Sequence, residues 1–123
     1  MILLGIETED NIDDVEYLCS KIPKLRIFND TDGVMNLSLT EINGDVMLIS
    51  QFTLHAATKK GNRPSYLKAA RPEQAIPLYD QFIECLKKEM NKEIITGEFG
   101  ADMQVSLTND GPVTIIMDSK NLI

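Results

Sequence analysis

The chain has 123 residues, 43% of them hydrophobic and 25% charged, with Lys+Arg 12 against Asp+Glu 19 and a net charge of -7. That length suits one domain able to bury a core, and the mixed composition excludes wholesale disorder. No apolar run approaches the ~20 residues of a membrane helix, and the start, MILLGIETED, has no basic region before its apolar stretch and so does not read as a signal peptide.

Taken in chain order, Met1–Ile6 reads as a buried strand. Asn11–Ile22 reads as a helix with Ile12, Val15, Leu18, Cys19 and Ile22 on one face, ended by Pro23. Asp10, Asp13 and Asp14 fall in its first turns, where carboxylates complement the helix dipole. A short strand at Lys24–Phe28 precedes a turn over Asp30–Gly33, and Met35, Leu37 and Leu39 alternate with polar residues in the next strand. Asn43-Gly44 is a hairpin signal leading into a strand over Asp45–Leu54. A short helical piece is expected at Ser65–Ala70. A longer helix begins near Pro72, with Tyr79, Phe82, Ile83, Leu86 and Met90 as its apolar stripe and Pro77 awkward inside it. Glu93–Thr96, Met103–Leu107 and Val113–Met117 read as strands, the last two joined by a turn at Asn109–Pro112. The expected fold is a single α+β domain over residues 1–123, mostly antiparallel and barrel-like in its sheet, with a few packed helices. Cys19 and Cys85, far apart in sequence and without a secretory signal, read as reduced core thiols.

Charge falls in blocks. Residues 1–20 carry Glu7, Glu9, Asp10, Asp13, Asp14 and Glu16 with no base, whereas residues 59–71 carry Lys59, Lys60, Arg63, Lys68 and Arg71 with no acid. A basic stretch of this kind is either a solvated loop or a phosphate-binding surface. The familiar chemical motifs fail. With Gly33 at the sixth place of a calcium loop, Phe28 and Leu39 would occupy the first and twelfth, and neither is a carboxylate. One histidine and two scattered cysteines make no zinc site, and there is no phosphate-binding loop or dinucleotide fingerprint. His55, two residues from Thr53, would share its face on a strand, the one arrangement offering Thr53 a base. Two segments stand apart: Ser50-Gln51-Phe52-Thr53, where an apolar strand turns abruptly polar, and Asn109-Asp110-Gly111-Pro112, which has turn chemistry.

SQFTL at 50–54, KKGNRPSY at 59–66, FGADMQVSL at 99–107 and NDGPVT at 109–114, supported by LRIFNDTDGVMNLS at 25–38, resemble the bacterial-type D-aminoacyl-tRNA deacylase family in order along essentially the whole chain. Members of that family normally begin with a strand hairpin before the segment that here starts at Met1, so the chain is expected to be short at its N-terminus. The resemblance implies a cytoplasmic, homodimeric hydrolase that cleaves the ester of D-aminoacyl-tRNA, clears mischarged glycine as well, and uses no metal or other cofactor and no membrane. It implies that Gly111-Pro112 is a Gly-cis-Pro unit inserted into the partner's pocket, where main-chain carbonyls exclude L-residues. By the same resemblance Ser50, Gln51, Phe52 and Thr53 line the catalytic pocket, the tRNA's own 2′-hydroxyl assists hydrolysis, and Lys59, Lys60 and Arg63 hold acceptor-stem phosphates. Two alternatives stand beside this reading: a threonine-nucleophile esterase or amidase acting on small D-amino acid derivatives, and a non-catalytic RNA-binding relative.

Overall fold

A computed structural model describes residues 1–123. Its elements are β1 (Ile2–Leu4), α1 (Ile12–Lys21), β2 (Arg26–Asn29), β3 (Met35–Ser38), β4 (Met47–Ser50), α2 (Pro72–Met90) and β5 (Ile95–Thr96), with 3-10 turns at Ile22–Lys24 and Phe52–His55. The result is one small domain in which two helices pack on mixed sheets.

Strand direction is mixed for a topological reason. β4 lies between β1 and β5 and is parallel to both, with Leu4 opposite Ser50 and Met47 opposite Ile95. Parallel neighbours require a long crossover, and α2 supplies the one between β4 and β5. Antiparallel pairing is confined to β2 and β3, which form a separate two-stranded sheet. The Asn43-Gly44 turn therefore does not close a hairpin: Asn43 takes φ 53, and the chain leaves β3 for the other sheet.

α1 begins where the acidic first turn predicts. The Asn11 side chain accepts from the Asp13 N–H at 2.8 Å, and the Asp14 carboxylate accepts from the Asn11 N–H at 2.9 Å, a reciprocal cap. Pro72 opens α2 at its first position, where no donor is lost, and Asn91 in the left-handed region (φ 53) ends it. The helix runs through Pro77, whose exposed ring is accommodated on the outer face.

The apolar stripe of α2 meets the sheet. Tyr79, Phe82 and Leu86 join Leu4, Ile6, Val46, Leu48 and Ile94 in the core, with Val15 and Cys19 brought in by α1. Tyr79 fixes the helix to β4 by donating its hydroxyl to the Leu48 carbonyl at 3.3 Å; burial, with Asp80 adding, pushes its pKa up, so it remains a donor. Cys19 and Cys85 face each other across α1 and α2 and are joined as a disulfide, with Cα atoms 6.1 Å apart. Read as separate thiols in the sequence, they pair because the core-facing sides of two sequence-distant helices are packed together.

Two local expectations give way. Ser65–Ala70 is not helical; Ser65 pairs with Ala57 and Ala69 with Glu7 as isolated bridges. Met103–Leu107 and Val113–Met117 keep the alternating sequence of strands, yet residues 102–123 take part in no backbone–backbone hydrogen bond. An alternating pattern makes a strand only where a neighbour completes its ladder, and Val105, Leu107, Val113, Ile115 and Ile116 are left exposed. No helix is long and apolar enough to cross a membrane.

Candidate active site

Ser50 stands at the carboxyl end of β4, the central strand of a parallel sheet, which is where such sheets commonly place ligands. α2 beneath β4 and Leu4 beside it hold this end in place; the Gln51 N–H donates to the Leu4 carbonyl at 2.8 Å. The Ser50 hydroxyl is engaged as well, accepting from the Gly100 N–H at 3.3 Å, which brings the FGAD segment over the strand end.

Beyond Ser50 the strand stops and Phe52–His55 form a 3-10 turn. This alters the relation of Thr53 to His55. On a strand they would share a face; in a helix of three residues per turn, positions two apart diverge by about 120°. Thr53 Oγ1 is met by Gln51, whose Nε2 donates to it. His55 turns the other way, with Nδ1 3.9 Å from the Glu7 carboxylate, and its ring packs over Gly5, where an added Cβ would lie 3.0 Å from it. The structure therefore gives the Thr53 hydroxyl an amide donor and gives the histidine a different partner.

Phe52 is not a core residue. It is 55% exposed and rests edge-on against Tyr66, with ring centroids 5.1 Å apart and planes at 73°. Tyr66 reaches it because the Ala57–Ser65 bridge, with its 2.8 and 2.9 Å hydrogen bonds, closes the intervening residues into a loop. Lys59, Lys60 and Arg63 are exposed on that loop, and none of them forms an ion pair. The basic segment thus stands directly beside the Phe52 turn.

Gly111-Pro112 is an exposed cis peptide, with Gly111 at φ +119. Asn109, Val113 and Thr114 on either side of it line a groove of about 650 Å³ together with Leu54, His55, Glu7 and Asp10. Its walls include neither Ser50–Thr53 nor Gly111-Pro112. Within one chain, the flanks of the two motifs line this groove together, and the motifs themselves are not part of its lining. Tyr66, Gly100 and Glu7 are neighbours of the site that periodicity could not mark, because each arrives from a distant segment by a loop contact. No cluster of three or more His, Cys, Asp or Glu side chains is placed to hold a metal ion.

Known proteins resemble this chain over nearly its whole length. Residues 1–118 match the family model for D-Tyr-tRNA(Tyr) deacylase. Proteins named D-aminoacyl-tRNA deacylase from Bacteroides fragilis and Flavobacterium johnsoniae are 62% and 59% identical over 121 residues, which is 98% of this chain and 81% of each relative. Among solved structures, one titled c-Myc DNA Unwinding Element Binding Protein superposes with a TM-score of 0.83 at 41% identity, covering 92% of this chain and 76% of that one. Another, titled a probable eukaryotic D-amino acid tRNA deacylase, shares the fold at a TM-score of 0.69 and 14% identity, covering 81% of this chain and 74% of that one. With the family model spanning nearly the whole sequence and such relatives beside it, this chain belongs to the D-Tyr-tRNA(Tyr) deacylase family.

Proposed function

We propose that the protein hydrolyses the ester of D-aminoacyl-tRNA, releasing the D-amino acid and free tRNA, and also clears glycine mischarged on tRNA. The observation that carries this reading is the family match over residues 1–118, with relatives of that name about 60% identical. Ser50, Gln51, Phe52 and Thr53 form the catalytic surface at the end of β4. Phe52, exposed and braced by Tyr66, packs against the terminal adenine. Lys59, Lys60 and Arg63 meet acceptor-stem phosphates, a contact without sequence preference that suits many tRNAs.

Thr53 positions the substrate and is not a nucleophile. Its hydroxyl has an amide donor beside it and no base, since His55 faces Glu7. The terminal 2′-hydroxyl of the tRNA assists attack on the ester, while main-chain N–H groups of the turn stabilise the charge that develops. Selection against L-residues comes from the Gly111-Pro112 backbone of a second subunit in a homodimer: carbonyls held by the main chain cannot swing aside, so an L side chain is refused by exclusion. The protein acts in the cytoplasm, where tRNA is charged.

Hydrolysis of D-aminoacyl-tRNA ending in 2′-deoxyadenosine tests the mechanism. A rate at least a hundredfold below that of the ribose form is expected. Equal rates would transfer the chemistry to a protein nucleophile, and binding of both forms without turnover of either would make this chain a non-catalytic RNA-binding relative.

A further inference from the structure

We propose that Cys19 and Cys85 are a thiol–disulfide switch, oxidised through Cys85 by a small-molecule disulfide of the glutathione class, which locks α1 onto α2. The two Cα atoms lie 6.1 Å apart, within the span a disulfide bridges without backbone movement. Access is one-sided. Cys19 is 0% exposed, whereas Cys85 is half-buried and lines an open groove of about 420 Å³ between the helices, beside Ile12, Glu16, Gln81 and Lys88. An incoming reagent therefore meets Cys85 first.

The exchange balances as two displacements. The Cys85 thiolate attacks one sulfur of the reagent's disulfide, expelling one thiolate and leaving a mixed disulfide on Cys85. The Cys19 sulfur, having lost its proton, attacks the Cys85 sulfur and expels the second thiol. Two protein thiols are oxidised, one small disulfide is reduced to two thiols, and two protons are transferred in total. Dithiothreitol runs the sequence backwards.

The cross-link joins residues 66 apart in sequence. The closed loop contains β2, β3, β4, the Phe52 turn and the basic loop, so oxidation restricts the unfolded chain across the whole catalytic segment without touching a catalytic side chain. By loop-closure entropy the oxidised form should melt on the order of 10 °C higher than the reduced form.

The test uses the full chain, reduced with dithiothreitol and then equilibrated with glutathione disulfide under native conditions. Free thiols are counted by alkylation and mass spectrometry, and melting is followed in parallel. The expected result is loss of both thiols without a retained glutathione adduct, a higher Tm, and reversal of both by dithiothreitol. Cys19→Ala should accumulate a glutathione adduct on Cys85 and show no such rise in Tm, whereas Cys85→Ala should remain unmodified while folded. Retention of both alkylatable thiols, equal melting of oxidised and reduced protein, or equally fast modification of Cys19 in Cys85→Ala would overturn the proposal.

Discussion

Thr53 is the residue on which the proposed chemistry turns. Its Oγ1 accepts from the Gln51 amide, and the chain's one imidazole, His55, stands with Nδ1 3.9 Å from the Glu7 carboxylate and forms no hydrogen bond to Thr53. Thr53→Val keeps the shape and removes the hydroxyl, so turnover should fall by no more than about tenfold in steady-state deacylation; a covalent nucleophile would cost on the order of 10³-fold or more. If Thr53→Val were dead and Thr53→Ser active, the hydroxyl would be the nucleophile. At Gly111, φ +119 lies where an L side chain is strained, and the residue is solvent-exposed. Gly111→Ala should therefore reshape the loop while leaving the core intact, lowering D-aminoacyl-tRNA turnover at least tenfold with Tm changed by only a few degrees. Unaltered turnover would separate this loop from the pocket. The abrupt change from Val46–Ile49 to Ser, Gln and Thr was visible along the chain, and it does mark the end of β4. What periodicity could not supply was the backbone path after Ser50: the strand expected to reach Leu54 ends there, and a 3-10 turn over Phe52–His55 takes Thr53 and His55 off a common strand face.

The helices were the most legible elements because each carries its start and its buried stripe within one continuous stretch. α1 offers a check on the cap. Asp14 has its carboxyl held below the usual carboxylate range: burial pushes it up, but the Lys120 ammonium at 2.8 Å and the Asn11 N–H outweigh that. An acid lowered in the folded state stabilises above its unfolded pKa of about 4 and loses that contribution as pH falls through the lower, folded value. Asp14→Asn should thus melt a few degrees below the parent at pH 7, and the gap should shrink towards pH 3; a gap independent of pH would show that charge plays no part in the cap. Strand pairing was less legible, since alternation reports a buried face and says nothing of direction or partner. Met103–Leu107 alternates as β3 does, but only β3 has a neighbour to complete its ladder. The basic loop stands between these cases, with its charge plain in KKGNR and its closure by Ala57 and Ser65 visible only in three dimensions. Replacing Lys59, Lys60 and Arg63 with Ala should weaken binding to all tRNAs alike and reduce the salt slope of log K by about 2 to 3. An unchanged slope would assign these charges to solvent.

Across the whole molecule, the helices form a platform under β4, and the polar segment projects from the end of that strand beside an exposed aromatic pair and an unpaired basic loop. Neither Gly111-Pro112 nor Ser50–Thr53 lines the groove that their flanks share, an arrangement consistent with the proposed selection against L-residues by a second subunit; if that homodimer forms the site, dilution to monomer should abolish discrimination before it abolishes the fold. The single α+β domain was legible from the alternation of helical and strand periods. The parallel arrangement around β4 was not, because it depends on how the α2 crossover returns the chain to the sheet. Central to the account is that hydrolysis of the aminoacyl ester depends on the handedness of the amino acid. The most direct measurement is the rate of free tyrosine release from D-Tyr-tRNA and from L-Tyr-tRNA, with the same tRNA and the same enzyme preparation. The account predicts release from the D-ester at least a hundredfold faster than from the L-ester, with the L-ester near its spontaneous rate; equal release from both, or none above the spontaneous rate from either, would contradict it.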